Sequence, residues 1–223
     1  MRRRLPRLLV TGFNAFPGAP VNPTQHLVAS LLERAGELAP LAEFNAAVLD
    51  VDYRALPARL VELGKRFRPD IALHFGLAGT ATGFRLERLA WNRSSLTHPD
   101  NSGYLPERER FCEGAESLES ALPLAQIHAR LMQAGLPVEY SDSAGEYLCN
   151  YLFYWSRAGL AKGLRPAMTG FIHVPPLGDR AGEMPLNRLV EGALLIVNAC
   201  VAVWKTQPAK AKGPASLPGP SES

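Results

Sequence analysis

Short apolar runs alternating with helix-patterned segments constrain this chain most. Residues 7–13 read as a strand. Asn22-Pro23 follows, an N-cap residue with proline at the first helical position, and opens a helix that would bury Leu27, Leu31 and Leu38. Residues 46–51 form a second strand, residues 53–67 a helix with Pro57 in its first turn, and residues 69–76 a third strand ending in glycine. After an irregular stretch the alternation resumes: helix 122–135, strand 138–141, an apolar helix 146–157, strand 167–174 and a last helix 186–204. Such alternation predicts an α/β fold, a three-layer α/β/α sandwich around a mostly parallel, mixed sheet. At 223 residues one core suffices.

Between the two halves, residues 84–91 have strand character, with Glu87 and Arg88 among apolar neighbours. Residues 92–120 show no period and read as one long loop, a kind of segment that is often functional.

The expected organisation is a flexible basic N-terminus over residues 1–6, a single domain over 7–204, and a disordered tail over 205–223, rich in Pro, Lys, Ser and Ala. The basic start is followed by Leu5-Pro6-Arg7 and develops no apolar signal core, so a cytoplasmic location is expected. No apolar run approaches the roughly 20 residues of a membrane span, so no membrane partner is expected. Three cysteines argue against a disulfide framework. The net charge of +3 sits at the ends: Arg2, Arg3, Arg4 and Arg7 supply four positive charges, and the stretch after Trp204 a net two. The body is left mildly acidic, which argues against a nucleic-acid partner.

Cys200 falls in an apolar helix and reads as a buried structural thiol, and Cys112 falls in a charged loop. Cys149 follows Ser143-Ala144-Gly145 at a strand-to-helix turn, where open α/β sheets place their sites. On position alone it reads either as a structural thiol or as a nucleophile. A nucleophile needs a base. His173, at the end of the next strand, can supply it if the strand ends share one edge; Glu87 is the candidate to orient the base, or else it pairs with Arg88. Of the other histidines, His26 and His128 sit in helical patterns, His98 in the loop, and His74 in a buried strand as a core residue.

Several segments, in order along residues 7–204, resemble the pyroglutamyl-peptidase I (pyrrolidone-carboxylate peptidase) family of cysteine peptidases, as a divergent member. Val10-Thr11-Gly12-Phe13-Asn14-Ala15-Phe16-Pro17-Gly18 with Val21-Asn22-Pro23-Thr24 is similar to its opening motif. Gly76-Leu77-Ala78-Gly79 with Glu87-Arg88-Leu89-Ala90-Trp91-Asn92 resembles the family's G-Q-A-G and E-R-V-A-x-N. Pro99-Asp100-Asn101-Ser102-Gly103 resembles P-D-N-x-G. The stretch from Ser143 through Cys149-Asn150 to Phe153-Tyr154 resembles the segment around the family's cysteine, and Gly170-Phe171-Ile172-His173-Val174-Pro175 matches G-F-I-H-V-P.

The resemblance implies hydrolysis of the amide bond after an N-terminal pyroglutamyl residue of peptides. It implies Cys149 as nucleophile, His173 as acid and base, Glu87 as the third member, and Phe13 and Phe16 as walls for the lactam ring. Asn22 and Leu77 fall with them among the substrate-binding positions. No metal or other cofactor is implied, and members assemble as dimers or tetramers. Leu77 stands where the family has glutamine, Thr97 where many members have arginine, Pro17 for a glycine, Glu146 for a threonine and Pro176 for a tyrosine. These departures leave open a cysteine amidohydrolase of the same fold acting on another acyl group, and a non-catalytic binding or scaffold protein. A dinucleotide site is weaker still, because residues 76–83 lack G-x-G-x-x-G spacing. Ser143 and Glu146 match a capping box; if Ser143 caps the helix, Cys149 lies in its second turn, and if the helix starts nearer Glu146, the macrodipole helps the thiol ionise.

Overall fold

The computed structural model describes residues 4–207. Six strands form one sheet in the order β2-β1-β3-β8-β4-β7: β1 (Arg7–Phe13), β2 (Glu43–Leu49), β3 (Ile71–Leu77), β4 (Phe84–Glu87), β7 (Val138–Ser141) and β8 (Met168–Val174). β2, β1, β3 and β8 run parallel. β4 is antiparallel to β8, and β7 runs parallel to β4, so the last two strands are reversed. β5 (Leu89–Trp91) and β6 (Ser117–Glu119) form a separate antiparallel pair.

The period of two along the central strands sorts their side chains into two cores. Leu8, Val10, Ile71, Leu73, Phe75, Phe84, Leu86 and Ile172 pack against α1 (Pro23–Glu33), α4 (Leu124–Gln133) and α6 (Leu186–Thr206). Leu9, Ala72 and Phe171 face the other way, onto α3 (Ala55–Phe67) and α5 (Leu148–Ala158). The expected three-layer mixed sheet is what forms, as a single domain.

Several boundaries differ from the sequence reading. The helix after Asn22 breaks at Arg34, which places Leu38 in a separate short turn, α2 (Ala35–Leu38). β2 starts at Glu43 because it is an edge strand paired residue by residue with β1, and only its last residues are deeply buried. The expected strand 84–91 divides at Arg88, whose N–H still donates to the Ser141 carbonyl (2.7 Å) before the chain leaves for β6. Residues 92–120 contain that three-residue strand, too short to show a period. The loop is also organised by Asp100, whose carboxylate accepts from the N–H groups of Tyr53, Ser102 and Tyr104.

By length and apolarity α6, at 21 residues, passes for a membrane span, contrary to the sequence expectation. Its Leu189, Val190, Ala193, Ile196, Val197 and Cys200 are buried in the domain core, which identifies it as a core helix. The expected flexible N-terminus and disordered tail fall largely outside the described residues. Arg4, within the described part, holds Asp70 through both terminal guanidinium nitrogens (2.7 Å each), and Lys205 and Thr206 extend α6.

Candidate active site

The cysteine and histidine converge by a different route from the shared strand edge the sequence suggested. β7 runs against β8, and Ser141 pairs with Glu87, about level with Phe171 and short of the carboxyl end of β8. Residues 142–147 carry the chain back, and α5 then descends over the sheet. Its start is at Leu148, with Tyr147 as an extended N-cap whose side chain makes no capping bond to the helix. The capping box does not form: Ser143 Oγ accepts from the Gly145 N–H (3.2 Å), and Gly145 adopts a left-handed φ of 79°. Cys149 therefore lies in the first turn of α5, where the first N–H groups have no intrahelical acceptor and the dipole is strongest.

Gly76 sits in register with His173 on the neighbouring strand. A Cβ built on Gly76 would fall 2.8 Å from Cys149 Sγ and 2.7 Å from the Phe171 ring. The absent side chain is what lets the thiol lie against β3. Burial first, and then the negative charge of Glu87, push the Cys149 thiol up to about 12; its own backbone N–H opposes them. A thiolate is thus disfavoured here unless a cation forms beside it.

His173 and Glu87 supply that possibility. His173 Nδ1 lies 2.7 Å from Glu87 Oε1. Both are buried, Glu87 completely. The alternative pairing of Glu87 with Arg88 does not occur, because Arg88 turns outward to Asp142 (2.6 Å). Glu87 Oε2 is buried with no partner, so the imidazole N–H is the one hydrogen bond this carboxylate accepts among the described residues. The Glu87 contact takes Nδ1 and leaves Nε2 as the ring nitrogen able to exchange a proton.

A cavity of about 310 Å³ brings Cys149 and His173 together with all four expected substrate residues, Phe13, Phe16, Asn22 and Leu77. That volume suits a small ligand. Asn22 contributes shape more than polarity, since its amide is already engaged. Its Oδ1 accepts from Thr24 N–H (3.1 Å) and Thr24 Oγ1 (2.8 Å), and its Nδ2 donates to the Asn14 carbonyl (3.0 Å). Leu77 adds an apolar wall. Thr97 is exposed and bonds Ser95 and His98, outside this cavity. A second cavity of about 580 Å³ adjoins the first, shares Phe16 and Tyr147 with it, and includes His98 and Glu146.

Residues of the matched motifs that carry no expected chemistry turn out to build the site. Asn150, buried beside the cysteine, accepts from Trp91 N–H (2.8 Å) and donates to the carbonyls of Trp91 (2.8 Å) and Arg93 (2.7 Å), tying α5 to β5. Tyr147 donates to the Pro99 carbonyl (2.9 Å) and packs near Phe16. Arg85 also lines the cavity, and its only sequence signal was a charge inside an apolar run. Cys112 is half-buried beside Asn92 and Cys200 is buried in α6; all three cysteines are free. His74 is buried, His26 exposed, and His128 stacked on Tyr140.

A family model described as pyroglutamyl peptidase matches residues 6–201. The chain belongs to the pyroglutamyl peptidase family. Within that family, the pyrrolidone-carboxylate peptidase of Pyrococcus furiosus is 34% identical over 204 residues, 88% of this chain and 97% of the relative. That of Gloeobacter violaceus is 35% identical over 180 residues, 80% and 86% of the two chains. Among solved structures, a mutant pyrrolidone carboxyl peptidase from P. furiosus superposes with a TM-score of 0.79 at 32% identity, covering 87% of this chain and 98% of that one. As a member of the pyroglutamyl peptidase family, the chain is a cysteine-type peptidase.

Proposed function

We propose that this chain removes N-terminal pyroglutamyl residues from peptides, with Cys149 as nucleophile, His173 as acid and base, and Glu87 orienting the imidazole. One observation carries the assignment: a first-turn helix cysteine lines the same cavity as a histidine whose Nδ1 is held by a fully buried glutamate. Phe13 and Phe16 supply flat apolar walls for a lactam ring, which bears no amine charge to be met.

The chemistry follows from these atoms. The Cys149 proton passes to His173 Nε2 as the sulfur attacks the carbonyl carbon. The carbonyl becomes an oxyanion, which the free N–H groups at the start of α5 are suited to bind. As it collapses, the C–N bond breaks and His173 returns the proton to the departing amine. A thioester remains. Water then attacks it, giving a proton to His173, and the C–S bond breaks to release pyroglutamate and restore the thiol. With the thiol held high by burial and Glu87, proton transfer to His173 during attack is the route by which sulfur becomes nucleophilic near neutrality.

Release of a fluorophore from a pyroglutamyl amide, measured for the native protein and for Cys149→Ala, tests the proposal. Turnover in the native protein and none in the variant is expected. Undiminished turnover in Cys149→Ala would remove the nucleophile from the scheme, and no native turnover would remove the substrate class. A reducing, cytoplasmic setting suits an enzyme with three unpaired thiols, and the family resemblance supports a homo-oligomer, to be measured by sedimentation velocity.

A further inference from the structure

The sheet order gives the catalytic cavity a direction. Phe13 and Val51 lie at the ends of β1 and β2, Leu77 and Ala78 at the end of β3, His173 on β8 and Arg85 on β4. Cys149 sits over Gly76 of β3, whose register partner is His173. The cavity therefore runs from an aromatic end, past the thiol and imidazole, to an arginine end. Arg85 is the register partner of His173 across the β4–β8 pair, so both side chains leave the same face of the sheet at the same level.

The arginine end holds a cation with unused donors. Arg85 Nε donates to Glu139 Oε1 on β7 (2.7 Å), which fixes the side chain. Its two terminal nitrogens have no hydrogen-bond partner among the described residues. The nearby acids on and after the paired strands are otherwise engaged: Glu87 with His173, and Asp142 with Arg88. The Arg85 side chain retains about a quarter of its exposure, so it is reachable from the cavity and only partly screened by water. Two terminal N–H groups on a guanidinium fixed through Nε match the two oxygens of a carboxylate.

We propose that Arg85 reads the leaving group and favours a carboxylate on the residue that follows the scissile bond. The inference rests on the proposed pyroglutamyl reading, which places the acyl ring between the phenylalanines and sends the amine past His173. The carboxylate can be the free C-terminus of a pyroglutamyl dipeptide or an acidic side chain at the first position after the bond. Both present the same chemistry to the guanidinium.

The test compares kcat/KM for pyroglutamyl-alanine, pyroglutamyl-alanine amide and pyroglutamyl-glutamate α-amide, which carries its anion on the side chain. In the native protein at least one anionic substrate exceeds the neutral amide, and which one does so identifies the source of the carboxylate. In Arg85→Gln the anionic-to-neutral ratio falls about tenfold, the scale of one partly exposed charge-assisted contact. Arg85→Lys restores part of it, and Glu139→Gln raises it by releasing the competing acid. An anionic-to-neutral ratio of one in the native protein, or an equal loss on all three substrates in Arg85→Gln, overturns the role of Arg85 while leaving the peptidase reading intact. Failure of the native protein to cleave the neutral amide or either acid overturns both.

Discussion

At the scale of single residues, the proposed site depends on a base with one supporter and a thiol with one gap to fill. Glu87→Gln keeps the shape but removes the charge that stabilises an imidazolium. Its expected cost is about 10²–10⁴-fold in kcat at unchanged fold, checked by steady-state kinetics beside a circular dichroism spectrum. The thiol makes a second, independent prediction. In His173→Ala it loses its proton acceptor while burial and the charge of Glu87 still disfavour its thiolate. Iodoacetamide should then label Cys149 at least about 100-fold more slowly than in the native protein, with the rate climbing tenfold per pH unit toward alkaline pH. Gly76→Ala tests the clearance. The added methyl must displace either the sulfur or the Phe171 ring, so activity is expected to fall by about 100-fold or more, with about 1–3 kcal/mol of destabilisation in urea titrations.

At the scale of elements, α5 is aimed by a polar chain buried in the sheet. Thr11 Oγ1 on β1 meets His74 Nδ1 (2.8 Å), His74 Nε2 meets Ser156 Oγ on α5 (2.9 Å), and Ser156 meets Thr169 Oγ1 on β8 (2.9 Å). Ser156 lies two helical turns beyond Cys149, so the contact that anchors the far end of the helix bears on the same side as the thiol. A neutral imidazole suits both contacts, since one ring nitrogen donates and the other accepts. Burial pulls the His74 pKa down to about 3. The unfolded chain then binds a proton between roughly pH 3 and pH 6.5 that the native chain refuses. Stability attributable to this group is complete above that window and declines as pH falls through it, by at most ~1.4 kcal/mol per unit. Urea midpoints at pH 4, 5 and 7 should show a slope that is shallower in His74→Gln. An unaltered slope would mean that His74 is not the group responsible.

The same elements show what a one-dimensional reading reaches. Asn22-Pro23 announced α1 correctly because a cap is a local device. Ser143 and Glu146 announced one that does not exist, because Gly145 and the extended Tyr147 let the chain turn after them. Cys149, His173 and Glu87 were legible mainly as matched motifs. Their meeting depends on the reversal of β4 and β7, which no local pattern encodes. Arg85 reaches the cavity through its register with His173, a pairing that its own sequence neighbourhood does not encode.

At the scale of the whole molecule, the two faces of the sheet communicate through β4. Phe84 and Leu86 point toward α6, while Arg85 and Glu87 point toward the site. On α6, Gly192 leaves room for the Phe84 ring, and a Cβ there would lie 2.1 Å from it. Gly192→Ala is expected to cost about 1–3 kcal/mol and to lower kcat, although the residue lies on the far side of the sheet from the thiol. Phe84→Leu, added to it, should return part of both. A variant that loses stability yet keeps full activity would show that the far layer does not position β4.

The direction of the cavity has a consequence for how such a protein can change over generations. On the proposed reading, the wall around the acyl ring is written in residues 13–22, and the cation facing the departing amine is residue 85. These are stretches far apart in the gene. Point changes or recombination can therefore alter one preference while the other is inherited intact, and a lineage can explore new peptides without first giving up the ring it already holds.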